Sequence, residues 1–297
     1  MKMPEKEVLD QVKRIFKRVP GTQRLNRIRH NIIRIRELSD LIKENKIVVL
    51  HPCSRMGNDD ALAREIVHDI VKDILDVYGT VRLRRTTAAA IDSPAGAIFL
   101  YAPLGLLRIP TSHEEYLEQI GYPGRRKIRR AEKQGYEFKE FVWNDHLNEI
   151  YEINTSKEVR QGEPMRGWYR EPVQPRHHSK EELQYRKFYG AFKNGKLYAY
   201  LHIVLCGDFA FFRHFLGHAQ HLPDGIMYGL VSWTVGEYIE NSQIQWLKYG
   251  ELSKKPRPMH QFRKTAGFQG YATLLDLKGD QELLKYSEQE VKTIWRL

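Results

Sequence analysis

The chain has 297 residues, enough to bury a core in one large domain or two smaller ones. Hydrophobic residues make up 41% and charged residues 29%, which excludes a disordered or fibrous protein. No apolar run approaches the ~18 residues of a membrane span, no signal peptide is visible, and Cys53 and Cys206 supply neither a disulfide framework nor paired metal spacing, so cytoplasmic residence is the expectation.

A net charge of +11 attracts polyanions, whether RNA, the phosphates of coenzyme A or an acidic membrane surface, and it equally suits a solvated surface. Glu5 to Arg18 is predicted as an amphipathic helix, with Val8, Val12, Ile15 and Phe16 opposite Lys13, Arg14, Lys17 and Arg18. A second helix, Thr22 to Glu44, sets Leu25, Ile28, Ile32, Ile35 and Ile42 near coiled-coil spacing among several arginines. These leading helices, residues 1–45, pack on the body, pair with another copy, bind RNA or lie on a membrane surface; packing is the plainest of the four.

Residues 46–142 read as an N-terminal α/β half. Ile47 to Leu50 is a short buried strand, and Ala61 to Tyr78 a helix whose Leu62, Ile66, Ile70, Ile74 and Val77 form one face. Val81 to Leu83 and Ala97 to Tyr101 read as strands, and Pro103 to Pro110 as a turn-rich connection. Ser112 and Glu115 form a capping box for a helix to Ile120. Arg125, Arg126, Lys127, Arg129, Arg130 and Lys133 then crowd one short helix, whose Ile128 and Ala131 face inward. Spread over an exposed surface, such cations suit repeated phosphates, although a solvated face has the same composition.

Residues 143–297 form the second predicted domain. Asn154 to Ser179, rich in glycine and proline, is a long loop placed to act as a lid over an acceptor, with Trp168 and Tyr169 as its apolar surface; an inert excursion anchored by Trp168 fits equally. Strands follow at Lys187 to Lys193, Lys196 to Leu205 and Phe209 to Leu216, the first two joined by the hairpin turn Asn194-Gly195. Gly217 to Gly225 is a loop and Ile226 to Glu240 a helix, whose Gly229, Ser232 and Gly236 make a small-residue stripe where a sheet backbone can approach. Ile244 to Tyr249 is a strand, Met259 to Ala266 a short helix capped by Gly267, and Tyr271 to Leu277 a last strand.

This order, three strands, a loop opening onto a helix, a strand, a short helix ending in Gly267-Phe268 and a final strand, resembles the GNAT superfamily of N-acetyltransferases. Two stretches are similar to its Fem-type peptidyltransferase branch, which takes aminoacyl-tRNA as donor and forms amide bonds. They are Gly124 to Gly135 (GRRKIRRAEKQG) and Tyr249-Gly250-Glu251 with the later Gln261-Phe262-Arg263-Lys264. The resemblance spans Ser112 to Leu277 and implies an α/β fold, a GNAT-like mixed sheet flanked by helices.

It also implies roles. The loop and helix start at Gly217, Asp224, Gly225 and Ile226 stand where GNAT proteins hold the donor's pyrophosphate on free amides at a positive dipole end, with Arg213, Arg263 and Lys264 as further donor contacts. The usual glycine-rich signature of that loop is absent, its glycines being only spaced. The basic helix from Arg125 becomes a seat for tRNA. Amide formation needs a base for the attacking amine and stabilisation of an oxyanion. Glu251, at the end of the strand beside the cleft, is the first candidate base, with Tyr249 or His214 as substitutes. Four residues before the helix-ending glycine, where many GNAT enzymes carry a tyrosine, stands Arg263.

His214, His218 and His221 have spacings that would align on a helix, but they fall on a strand and a loop without an acidic or cysteine neighbour at ligand spacing, so no metal is expected. The spaced glycines match neither a phosphate-binding P-loop nor a dinucleotide fingerprint. The expected activity is transfer of an aminoacyl group from aminoacyl-tRNA to an amine on a peptide or small metabolite, without a permanently bound cofactor and without DNA. Acyl-CoA-dependent acetyl transfer is the enzyme alternative, and an RNA-binding module with a GNAT-like fold the non-enzyme one. No motif encodes the acceptor or the oligomeric state.

Overall fold

A computed structural model describes residues 47–50, 91–93, 96–160, 163–165, 167–180, 182–240, 243–251 and 258–276. The predicted helices at 5–18, 22–44 and 61–78 and the strand at 81–83 lie outside the described residues. The chain divides into two compact units, one comprising residues 1–104, 251–254 and 270–297, the other residues 105–250 and 255–269. The division therefore falls inside a strand, and the segment from 113 to 142 belongs with the later residues.

Strands β1 (Ile47–Leu50) and β2 (Ile91–Ser93) precede β3 (Gly96–Arg108). β3 corrects the sequence reading, because it continues through Pro103 where a turn-rich connection was expected. Leu104, Leu106 and Leu107 are all buried. Full burial of a leucine is worth roughly 1.5–3 kcal/mol, so three of them outweigh the local preference of Pro and Gly for turns.

Helix α1 (His113–Lys133) starts on Ser112, whose hydroxyl accepts from the Glu115 amide at 3.1 Å. The two helices expected here form one run, kinked at Gly121 just before Pro123. Tyr116, Ile120, Gly124, Ile128 and Ala131 make its buried stripe. Strand β4 (Glu137–Glu140) leads to α2 (Leu147–Thr155) and a two-stranded ribbon, β5 (Val159–Arg160) with β6 (Glu163–Pro164). The long loop then passes through a single turn at Gly167–Tyr169 and the short α3 (Glu182–Tyr185).

The sheet of the second unit follows. β7 (Arg186–Lys193), β8 (Lys196–Cys206) and β9 (Phe209–Gly217) form an antiparallel meander, with β4 antiparallel on the outside of β7. Asn194 and Gly195 turn the first hairpin with φ of 52° and 77°, the paired left-handed conformation that Asn-Gly tolerates best. Helix α4 (Ile226–Glu240) carries the chain to β10 (Trp246–Glu251), which returns parallel to β9. The short α5 (Pro258–Thr265) leads to β11 (Gln269–Asp276), which pairs in parallel with β1 in the first unit.

The two faces of the β10-β9-β8-β7-β4 sheet bury different cores. On one, α4 and α1 pack, with the Tyr189 and Tyr238 hydroxyls 3.0 Å apart. The small stripe of α4 serves this packing differently from the expected sheet contact. A side chain at Gly229 would run into the Phe138 ring of β4, Ser232 bonds His113 Nε2 at 2.9 Å, and Gly236 faces open space. Rings, not sheet backbone, meet the stripe at Gly229 and Ser232. On the other face, α2 and the loop cover Trp143, Ile150, Ile153, Phe188, Tyr200 and Leu216, with Met165, Tyr169 and Val173 against them.

Candidate functional site

The candidate site is the place where β9 and β10 part. Their ladder has three pairs, Trp246↔Phe209, Leu247↔Ala210 and Lys248↔Phe211, after which β9 runs on to Gly217 and β10 to Glu251. Parallel strands joined by a helix leave a crevice beyond their carboxyl ends, the usual ligand position in open α/β sheets. A bulge lies at the same point. His202 faces His214 and Ile203 faces Phe212, so Arg213 is one residue too many on β9. As a result Phe212 and Phe215 share one face of the sheet and His214 takes the other.

On the first face the aromatic rings close up. Phe212 lies 5.3 Å from Phe215, 5.4 Å from Tyr249 and 5.7 Å from Phe268, and Phe262 of α5 lies 5.8 Å from Phe215 and 4.7 Å from Tyr228 of α4. The Arg263 guanidinium stands 4.8 Å over the Tyr249 ring. Burial raises the Tyr249 pKa and Arg263 only partly opposes it. Tyr249 is therefore a phenol at neutral pH, suited to donating a hydrogen bond or a proton, not to acting as base. Lys264 is exposed. Glu251 ends β10 two residues beyond Tyr249.

On the second face the loop residues Trp168 and Tyr169 stack on one another at 3.7 Å and close over His214. Trp168 meets its ring edge-on at 5.3 Å, and the Tyr169 hydroxyl lies 3.2 Å from Nδ1. Burial first, then the charges of Arg176 and Arg213, lower the His214 pKa to about 3. The imidazole is neutral at physiological pH and takes up a proton poorly, whereas a general base works best with a pKa near the operating pH.

Residues of the 217–225 loop are drawn into packing. The Gly217 carbonyl accepts from Arg160 Nη1 at 3.0 Å, and Ile226 is buried. Gly225 has φ of +85° and lies so close to the Lys127 carbonyl that no side chain fits there. Asp224 accepts from the Tyr136 hydroxyl at 3.0 Å and sits 3.7 Å from Arg130, while the same hydroxyl meets His221 Nδ1. The loop is thus fastened to α1 and to Tyr136, a little beyond its end. Of the three spaced histidines, His214 faces Tyr169, His221 faces Tyr136, and the His218 ring lies 5.3 Å from that of His221.

No protein-family model and no curated protein matches the sequence. Among solved structures the chain is similar to FemX, with 12% identity and a TM-score of 0.48 over 81% of this chain and 83% of that one. It is similar to the C-terminal domain of a putative lysylphosphatidylglycerol synthetase from Agrobacterium fabrum, with 12% identity and a TM-score of 0.42 over 97% and 98% of the two chains. L-PGS from Bacillus licheniformis is a third, at 14% identity and 0.40 over 67% of each.

The basic cluster of α1 divides in two. Arg126, Arg129, Arg130 and Lys133 are exposed, whereas Arg125 turns back to the Leu117 carbonyl at 2.9 Å and Lys127 is half-buried beside the 217–225 loop. Among the described residues, no helix is long and apolar enough to cross a membrane. Two polar residues of the second face, Arg176 and His202, have no part in the sequence reading. A lone histidine inside the apolar run KLYAYLHIVL was a signal for the latter; nothing local marks Arg176.

Proposed function

We propose that the protein is an N-acyltransferase that moves an aminoacyl group from aminoacyl-tRNA to an amine acceptor. The observation that carries the reading is the parting of β9 and β10 beside a phenol kept protonated by burial, with a guanidinium across its ring. The amine nitrogen attacks the ester carbonyl, a C–N bond forms, and the C–O bond to the ribose breaks. Tyr249 donates to the oxygen that gains negative charge and leaves as the ribose hydroxyl. Glu251 takes the proton lost by the amine. The exposed cations Arg126, Arg129, Arg130 and Lys133 supply phosphate contacts for the tRNA, and Arg263 a contact nearer the chemistry.

Two features of the 217–225 loop favour tRNA over coenzyme A. Asp224 places a carboxylate in the loop that would cradle a pyrophosphate, and Gly225, the residue before α4, is pressed against Lys127. A cytoplasmic setting follows from the donor.

The test supplies the purified protein separately with charged total tRNA and with acetyl-CoA, and follows new amide products by mass spectrometry over a panel of amines. Product from charged tRNA alone supports the reading. Product from acetyl-CoA alone overturns the donor, and salt-sensitive tRNA binding without product from either overturns the enzyme.

A further inference from the structure

Phe188 of β7, His202 of β8 and His214 of β9 are direct cross-strand partners and form one row across the second face. Their rings stack with centroids 4.6 and 5.6 Å apart, Trp168 meets the His214 end, and His178 stacks on Phe188 at 6.1 Å. Over this row lies Arg176. Its guanidinium carbon is 3.8 Å from the Trp143 ring centre, and its Nη1 donates to His202 Nδ1 at 3.0 Å.

That hydrogen bond decides the state of His202. A guanidinium only donates, so Nδ1 must accept, and the ring's single hydrogen is on Nε2. His202 is 1% exposed, and its Nε2 has no partner among the described residues. A buried N–H without an acceptor is costly. Arg176 is likewise short of a counter-charge, since among the described residues it pairs with no carboxylate. Glu182, the nearest acid in this cluster, is taken by His178 at 3.6 Å and Arg186 at 3.9 Å. Arg213, from the bulge, adds positive charge and is close enough to lower the pKa values of Arg176, His202 and His214. Burial is the main reason that Arg176 falls to about 10 and stays charged at neutral pH. Trp168 is 48% exposed, and His214 and Arg176 are half-buried, so the cluster is reached from one side.

We infer that Arg176, held through Nη1 by His202, anchors a carboxylate-binding site between the sheet and the 167–178 segment, and that this site holds the carboxylate of the acceptor amine. A planar carboxylate can accept from the guanidinium N–H groups that His202 does not take, and the Trp143, Phe188 and Trp168 rings give the rest of the ligand an apolar wall. Assigning the carboxylate to the acceptor rests on the proposed acyl transfer; the site itself does not.

Binding is therefore measured without turnover. Each of the twenty standard amino acids is titrated against its own carboxamide by calorimetry, on wild type and on Arg176→Gln. At least one acid is expected to bind about tenfold or more tightly than its carboxamide, with the difference lost in Arg176→Gln, as for removal of a charged hydrogen bond. Acids and carboxamides binding alike, or no acid binding, overturns the inference. So does acid binding that the substitution leaves unchanged. Should the variant fail to fold, nitrogen NMR of the wild-type His202 ring replaces it: added acid must shift Nδ1, the atom bonded to Arg176, and an unmoved Nδ1 overturns the site. Carboxylate binding in a protein that makes no amide would sink the proposed activity and leave this site standing.

Discussion

The two faces of β9 carry different chemistry. One is lined by Phe212, Phe215, Tyr249, Phe262 and Phe268, with Arg263 laid over the tyrosine. The other carries His214 and His202 beneath Arg176, Trp168 and Tyr169. A single extra residue, Arg213, separates them, because it lets an aromatic pair spaced by three share one face while the histidine between them turns away. The comparison shows how a strand can serve two kinds of chemistry. Burial raises the Tyr249 pKa and lowers that of His214, leaving both groups neutral, one able to donate and neither a ready base.

Inserting one alanine between His214 and Phe215 attacks this comparison directly. The strand already carries one extra residue at Arg213, so a second moves Phe215 and the residues after it by one position and turns them to the opposite face. The expected cost exceeds about 4 kcal/mol, the range of severe core lesions, and it will show as loss of the near-ultraviolet dichroism of the aromatic cluster together with a lowered urea midpoint. An insertion tolerated with unchanged spectra would mean that the register of β9 does not divide the faces.

Tyr249→Phe keeps the rings of the first face and removes only the hydroxyl. On the proposed mechanism kcat falls about 10²-fold with little change in stability. An unchanged kcat would move the proton donor elsewhere and leave the first face a purely apolar wall.

The second face makes a prediction about pH. The folded His214 pKa is about 3, against 6.5 for an unperturbed histidine, so between these values the unfolded chain binds the proton that the folded one refuses. The stability that His214 contributes at neutral pH is therefore lost as pH falls from 6.5 towards 3, at up to about 1.4 kcal/mol per pH unit for one fully differing group. Urea midpoints measured across that window should decline less steeply in His214→Gln, and parallel curves would remove His214 as a cause.

The smallest effects are expected away from both faces. Arg126→Ala and Arg129→Ala should each weaken tRNA binding a few-fold and lower the salt dependence by about one counterion. Arg125→Ala should act on stability instead, because that guanidinium holds the Leu117 carbonyl. Filter binding over a salt series separates the two.

Much of the element order was legible because it rests on short-range chemistry. Asn194-Gly195 can turn only one kind of hairpin, Ser112 with Glu115 caps a helix, and apolar spacing places the helix at 226–240. Local rules failed where burial opposed them, as along Pro103 to Arg108, where three buried leucines carry the strand through the turn formers. They also failed where the partner was distant in sequence. The small stripe of α4 was visible, but that Phe138 and His113 would fill it was not. In the site, Trp168 and Tyr169 stood out by composition, as a lid or as an inert excursion, and the structure lays them over His214; Arg176 and His202 carried no such mark.

The sequence alone determined which residues can form strands, helices and turns, since those preferences act over a few neighbours and need no partner. It also determined the positive charge and its concentration after Gly124. Only the tertiary structure decided which side chains meet. The register of β7, β8 and β9 and the one-residue bulge at Arg213 set Phe188, His202 and His214 in a row, and the return of the chain at Arg176 placed a buried cation over it. Protonation states follow those contacts, because burial and neighbouring charge, not residue type, set the pKa of a side chain.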